Sequence, residues 1–466
     1  MLPLCSGRWM LLLGLAGLAS AAVPQPADWV PARWPWADAQ SLELLAGSPV
    51  NCLLLAQPAP ELAAAAAARG IVTLAVLAPG GGDPVASARA ALSAKTTGLV
   101  LDGDFPDAVE ASVREAAGTA PVVALSARSR MPLGSSAPIL GTYQGVWPGI
   151  SLQDDGKEKA GPTGSTWIDT NTGFVRAARA WGEAEVWIGN RPPAGSVITT
   201  TRYLQVIADA AASGARWVVA LDSDFAARLH RREADSLASW RRMNEMLRYF
   251  ESHPEWRHMR EYGQLAVVQD PAKGGLLSGG ILDMIAVKHT PVRPIPQQRL
   301  SAGALAGATM AVNVDPDSLT AQQKAVLRDF THAGNTVLTG PPGWKDQGPN
   351  TGSITLTKAE LDRLNEIWRD VNSMIGRRNL GVRLFNVSSM LSNALASPDG
   401  KTVVLHLVNY SDFPVENVTV QFSGEFHHAT LLTPEAGPKP LEIYAAEDSH
   451  GVDIDKIAIC ATIKLE

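Results

Sequence analysis

From about residue 48 the chain alternates between short apolar runs and Ala-rich stretches of helical length. The runs are NCLLLA (51–56), IVTLAVLA (71–78), GLVLD (98–102), PVVALSA (121–127), PILGTY (138–143), EVWIGN (185–190) and WVVALD (217–222). Continuous apolar strands separated by helices indicate a parallel sheet covered on both faces. Helices are predicted over 58–69, 84–95, 107–117, 170–181, 201–213 and 234–251. The last places Leu237, Trp240, Met243, Met246, Leu247 and Phe250 on one stripe. Seven such strands in about 170 residues predict a (β/α)8-type barrel rather than a doubly wound sheet. No G-x-G-x-x-G follows any strand, and PGGGDP at 79–84 lacks the ending of a phosphate loop, so it reads as a turn.

The eighth strand is an open question. QLAVVQD (264–270) either closes the barrel or opens the next unit, leaving the barrel incomplete or closed by a strand from elsewhere. Beyond it come a helix (275–288), an extended TPVRPI (290–295), a strand (308–315), a helix from Asp317-Ser318 to about His332, and NTVLTGPPG (335–343). This pattern predicts a small flavodoxin-like α/β domain. After a helix at 357–375 the strands are short, alternating and separated by turn signals, as in an antiparallel β-sandwich. The expected division is an export signal over 1–22, a barrel over 23–262, an α/β domain over 263–356 and a linking helix with sandwich over 357–466.

Composition narrows the function. The net charge is −6 without a long basic run, which argues against nucleic acid as a partner. Arg8, the apolar WMLLLGLAGLA and Ala19-Ser20-Ala21 fit a cleaved export signal, predicting a secreted or periplasmic protein with no membrane span after cleavage. Cys52 and Cys460 remain after cleavage; they are far apart and could pair in an oxidising compartment, although Cys52 reads as a small buried hydrophobe. The nine His show no metal spacing, and no cofactor is implied.

Two stretches carry a resemblance. VNVDPDSLTAQQKAVLRDFTHAGNTVLTGPPG looks like the strand–helix–strand of an amidotransferase-like domain, and SPDGKTVVLHLVNYS looks like the start of a terminal sandwich. The order barrel, small α/β domain, sandwich resembles secreted glycosidases, specifically beta-galactosidases with a trimerisation domain. With no Cys between Cys52 and Cys460, amidotransferase chemistry has no nucleophile. The resemblance therefore implies a structural or homo-oligomerising middle domain and an oligo- or polysaccharide as partner.

In a barrel the site lies at the C-terminal ends of the strands. Asp102 and Asp222 end the third and seventh runs, opposite each other in an eight-stranded barrel, and glycoside hydrolysis needs two carboxylates. They are the expected acid/base pair, with Asp169 in reserve. Asp104 and Asp224, two residues further on, are expected to cap helices. Tyr143, Gln144, Trp147, Asn190, Trp167 and Asn171, with Trp34 and Trp36 in RWPW, offer the aromatic faces and amides that suit a sugar. The alternative is a non-catalytic glycan-binding or scaffold protein on a decayed barrel. The absence of Glu at the strand ends and the uncertain eighth strand favour it.

Overall fold

The structure, a computed structural model, describes residues 24–148, 170–269, 291–313, 316, 318–339, 366, 369–371, 373–376, 381–387 and 389–466. The export segment, the helix at 275–288, most of that at 357–375, Trp167 and Asp169 fall outside these residues.

Eight parallel strands follow one another in sequence order: β1 (Pro31–Trp34), β2 (Cys52–Leu55), β3 (Val72–Leu77), β4 (Gly98–Asp102), β5 (Val122–Ser126), β6 (Ile139–Thr142), β7 (Glu185–Ile188) and β8 (Ala215–Trp217). The ring is nearly closed. Ala32 bridges Val219, where the Arg33 amide donates to the Val219 carbonyl at 2.7 Å and the Val219 amide to the Pro31 carbonyl at 3.0 Å. The first six expected runs supply β2 to β7, and the seventh, 217–222, overlaps β8 at Trp217, because that strand begins earlier, at Ala215. The eighth strand is the N-terminal PARW, not 264–270. Its Pro and Arg hide it from a search for apolar runs.

Alternation along the strands sorts the core. Leu54, Leu74, Val100, Val123, Leu125 and Trp187 fill the interior, while Leu53 and Leu55 on β2 face the helical shell. Among the described residues that shell is made by α1 (Pro60–Ala67), α2 (Pro84–Ser93), α3 (Asp107–Ala117), α4 (Thr172–Arg179), α5 (Thr200–Ala212), α6 (Ser223–His230) and α7 (Ala234–Glu251). Local signals start them. Asp83 accepts from the Val85 and Ala86 amides with Pro84 at the first position of α2, and Thr199 caps α5.

A four-stranded parallel sheet follows, built from β10 (Leu265–Gln269), β11 (Val292–Pro296), β12 (Met310–Asn313) and β13 (Thr336–Thr339) in the order β11-β10-β12-β13. It carries α8 (Ala321–His332), which begins with a capping box between Thr320 and Gln323. The segment 264–270 thus opens this sheet.

The C-terminal region is antiparallel. One sheet has four strands, β14 (Val382–Phe385), β17 (Val415–Phe422), β21 (Ser449–Ile457) and β20 (Tyr444–Ala446). The other has six, in the order β19 (Lys439–Leu441), β18 (Ala429–Leu432), β22 (Cys460–Leu465), β16 (Val403–Asn409), β15 (Met390–Ala396) and β9 (Arg260–Glu261). The larger sheet shares a core with the barrel: Leu391, Val404, Val408 and Cys460 pack with Ile207, Met243 and Leu247. Cys52 lies inside the barrel and Cys460 against Met246, both buried and unpaired.

His406 sits in this seam, 2% exposed, with its Nδ1 2.8 Å from Thr462 Oγ1 and its ring 4.8 Å from that of Trp256. Burial, then the charges of His253 and Arg179, lower its pKa to about 3. An unfolded imidazole titrates near ~6.5. The fold therefore keeps this group neutral while the unfolded chain takes a proton, and stability is lost as pH falls below that value. The stability advantage of wild type over His406→Leu is expected to shrink by roughly 2 kcal/mol between pH ~6.5 and ~5. Urea denaturation at the two pH values measures it; a difference independent of pH would refute the assignment.

Candidate active site at the barrel mouth

Asp102 ends β4 in the inward phase, two residues after Val100 of the interior core. Arg33 crosses from β1 to meet it with a two-pronged contact: Nη1 donates to Oδ2 at 2.8 Å and Nη2 to Oδ1 at 3.0 Å. Nη2 also donates to the Gly189 carbonyl at 2.8 Å. A Cβ at Gly189 would lie 2.8 Å from Leu125 Cδ1, so a side chain there would have to push Leu125 aside. Arg191 adds a second guanidinium to Asp102 Oδ2 from the exposed rim. Burial pushes the Asp102 carboxyl up, but Arg33 and then Arg191 outweigh it and hold it below the ordinary carboxylate range.

Asp222 has a different task. It is the N-cap of α6, accepting from the Phe225 amide at Oδ1 (2.9 Å). Its Oδ2 accepts from the Ile198 amide at 3.1 Å and the Tyr203 hydroxyl at 2.8 Å. The capping expected of Asp224 belongs to Asp222, because α6 begins at Ser223 and the cap is the extended residue before it. Asp224 lies in the first turn and pairs with Arg228 at 2.8 Å. Asp104 does not cap either. The chain turns at Gly103 (φ +131°), and Pro106 stands at the start of α3. Asp104 instead accepts from the Ala127 amide and the Tyr143 hydroxyl, both at 2.9 Å.

A cleft of ≈ 310 Å³ opens at the C-terminal ends of the strands. Arg33, Trp34, Val76, Arg191 and Asp222 are among its walls, with the Pro192–Ser196 turn along one side. Trp34 is 4% exposed, donates Nε1 to Ser41 Oγ, and meets the edge of Trp36 at 4.8 Å. Trp36 stacks on His230 at 5.7 Å.

The other expected sugar contacts spend their polar atoms on the protein. Tyr143 donates to Asp104, and burial together with that carboxylate raises its pKa to about 12. Gln144 Oε1 accepts from the Arg128 amide at 2.7 Å, Asn190 donates to the Gly145 carbonyl, and Trp147 donates to the Arg191 carbonyl at 3.2 Å. Asn171, expected at the sugar, is instead fully buried: its side chain holds both the amide and the carbonyl of Val146 and donates to Asp209. These residues shape the mouth by fixing its loops. Sequence reasoning missed Arg33, Arg191 and Tyr203. Arg33 had a signal, since a lone charge inside an apolar WVPARWPW stretch needs a buried partner. Among the described residues, no group of three or more His, Cys, Asp or Glu could hold a metal ion.

No protein-family model and no curated protein sequence matches the chain. Solved structures do. An alpha-L-fucosidase (isoenzyme 2) from Paenibacillus thiaminolyticus superposes with a TM-score of 0.58 at 10% identity, over 92% of this chain and 96% of that one. A rhamnosidase from Novosphingobium sp. PP1Y gives 0.46 at 12% identity, over 76% and 38% of the two chains. An apo exo-carrageenase from Bacteroides ovatus gives 0.41 at 9% identity, over 82% and 55%. The fucosidase likeness shows a shared fold: a parallel barrel followed by antiparallel sheets.

Proposed function

We propose that the barrel mouth is a carbohydrate-binding cleft whose described carboxylates hold its shape rather than act as an acid/base pair. The observation that carries this reading is the commitment of both acids: Asp102 to two guanidiniums, Asp222 to three donors. Hydrolysis by this pair would need one of them protonated and free to donate. Trp34, Pro35 and Val76 supply an apolar wall for a sugar ring, and Arg191 supplies donors for its hydroxyls.

Hydrolysis is the second reading, and one observation favours it. Asp102 is kept ionised at the end of β4, the state a nucleophile or base requires. Its proton donor would then come from outside the described residues, where Asp169 is the candidate. In either reading the protein is proposed to be exported, with an oligo- or polysaccharide as ligand and a structural, homo-oligomerising middle unit.

A glycan array and a panel of chromogenic glycosides that includes fucosides separate the two. Binding predicts saturable retention of one glycan class without turnover, weakened roughly tenfold, about 1.4 kcal/mol, by Arg191→Ala. Turnover that disappears in Asp102→Asn would overturn the binding reading and establish the hydrolytic one.

A further inference from the structure

A second cavity, of ≈ 360 Å³, lies at the opposite end of the barrel, where α4 ends and β7 begins, with β9 and β11 along its walls. Six arginines line it against three glutamates. One glutamate is paired, one is buried with its Oε1 unpartnered and one faces solvent. Glu185 pairs with Arg216 at 3.0 Å, Glu261 is buried in the fields of Arg176 and Arg179, and Glu183 is exposed. Arg257 is taken by Glu251.

Arg260, Arg293 and Arg299 are left without a carboxylate among the described residues. Arg299 donates to the Ala180 carbonyl at 3.0 Å and lies over the Trp181 ring. Arg293 donates Nη1 to the Ala306 carbonyl at 2.9 Å, while its Nε and Nη2 are buried with no hydrogen-bond partner. Burial lowers its pKa with no opposing charge. A desolvated guanidinium with orphaned donors is costly, and an anion set against it repays that cost.

We propose that this cavity binds a small dianionic oxyanion, a phosphate or sulfate group, between Arg293, Arg260 and Arg299. Planar guanidinium donors match the oxygens of such a group, and the bonds are charge-assisted. The ligand would join three parts of the fold, because β9 belongs to the sandwich sheet, β11 to the four-stranded sheet and Ala180 to the end of α4. This site is independent of the mouth, and glycan binding bears on neither its success nor its failure.

Thermal unfolding and calorimetric titration of the full chain test it, with sodium phosphate, glucose 6-phosphate and sodium chloride compared at constant ionic strength. The melting midpoint is expected to rise saturably with phosphate and not with chloride. Arg293→Gln is expected to weaken phosphate at least tenfold, about 1.4 kcal/mol, while raising the midpoint of the unliganded protein. Arg260→Gln, at an exposed position, gives the same readout if Arg293→Gln does not fold. Tighter binding of glucose 6-phosphate than of phosphate would assign the site to an ester, and equal binding to the free anion. A phosphate response no larger than that of chloride, or variants that bind as wild type does, would overturn the site.

Discussion

Arg33→Met is expected to destabilise the fold by roughly 3 kcal/mol, at the low end of the ~3–5 kcal/mol for breaking a buried ion pair from one side. The Asp102 side chain is only 7% exposed, and Arg33 supplies its two-pronged contact. Arg191 still opposes the charge, but its side chain is 56% exposed and its attraction is screened. The pH dependence should change sign as well. In wild type the lowered Asp102 pKa gives stability that is present above the ordinary carboxyl value of ~3.9 and is lost as pH falls through the folded value. Without Arg33, burial dominates, the pKa rises, and stability is lost as pH rises instead. The double variant Arg33→Met/Asp102→Leu should recover most of the loss, since two apolar groups leave no orphaned charge. Urea denaturation of the four proteins in this cycle measures the coupling. A single-variant cost below ~0.5 kcal/mol would show that the clamp carries no structural load.

That clamp also marks where sequence reading reached its limit. Strands such as Leu53–Leu54–Leu55 and Leu99–Val100–Leu101 were legible because a strand buried on both faces has no polar alternative. The pairs of acids at 102/104 and 222/224 look alike in sequence, yet their roles depend on where the next helix begins. Ser223 starts α6 at once, so Asp222 caps it, whereas Gly103 and Pro106 postpone α3 and free Asp104 to reach Tyr143. Arg33 was hidden because its partner lies 69 positions away and becomes a neighbour only when the barrel closes. The loop residues Tyr143, Gln144 and Asn190 follow the strand ends of β6 and β7, but polar atoms advertise equally for a sugar and for a backbone carbonyl. Only the geometry separates those uses.

Asp209→Ala is expected to cost roughly 3–5 kcal/mol, because it orphans three donors at ~1–3 kcal/mol each with partial relaxation. Asp209 lies on α5 at 0% exposure and accepts from the Tyr410 hydroxyl at 2.6 Å, the Asn171 amide at 3.1 Å and Asn171 Nδ2 at 2.8 Å. One carboxyl thus joins the barrel to the sandwich, and through Asn171 it fixes Val146 beside residue 171. Burial raises its pKa to about 6 against the pull of Tyr410, Asn171 and Arg128. A raised carboxyl stabilises the fold fully below its unfolded value, and that stability is lost as pH rises through about 6. The shift corresponds to about 3 kcal/mol. Asp209→Asn, which cannot titrate, isolates this contribution. The stability advantage of wild type over Asp209→Asn should be largest near pH ~4 and smaller by about that amount at pH ~7.5. This is the opposite sense to the His406 effect, so the two partly cancel in the wild-type profile and emerge only in the differences. A wild-type advantage over Asp209→Asn that is constant from pH ~4 to ~7.5 would show that the buried carboxyl does not titrate in this range.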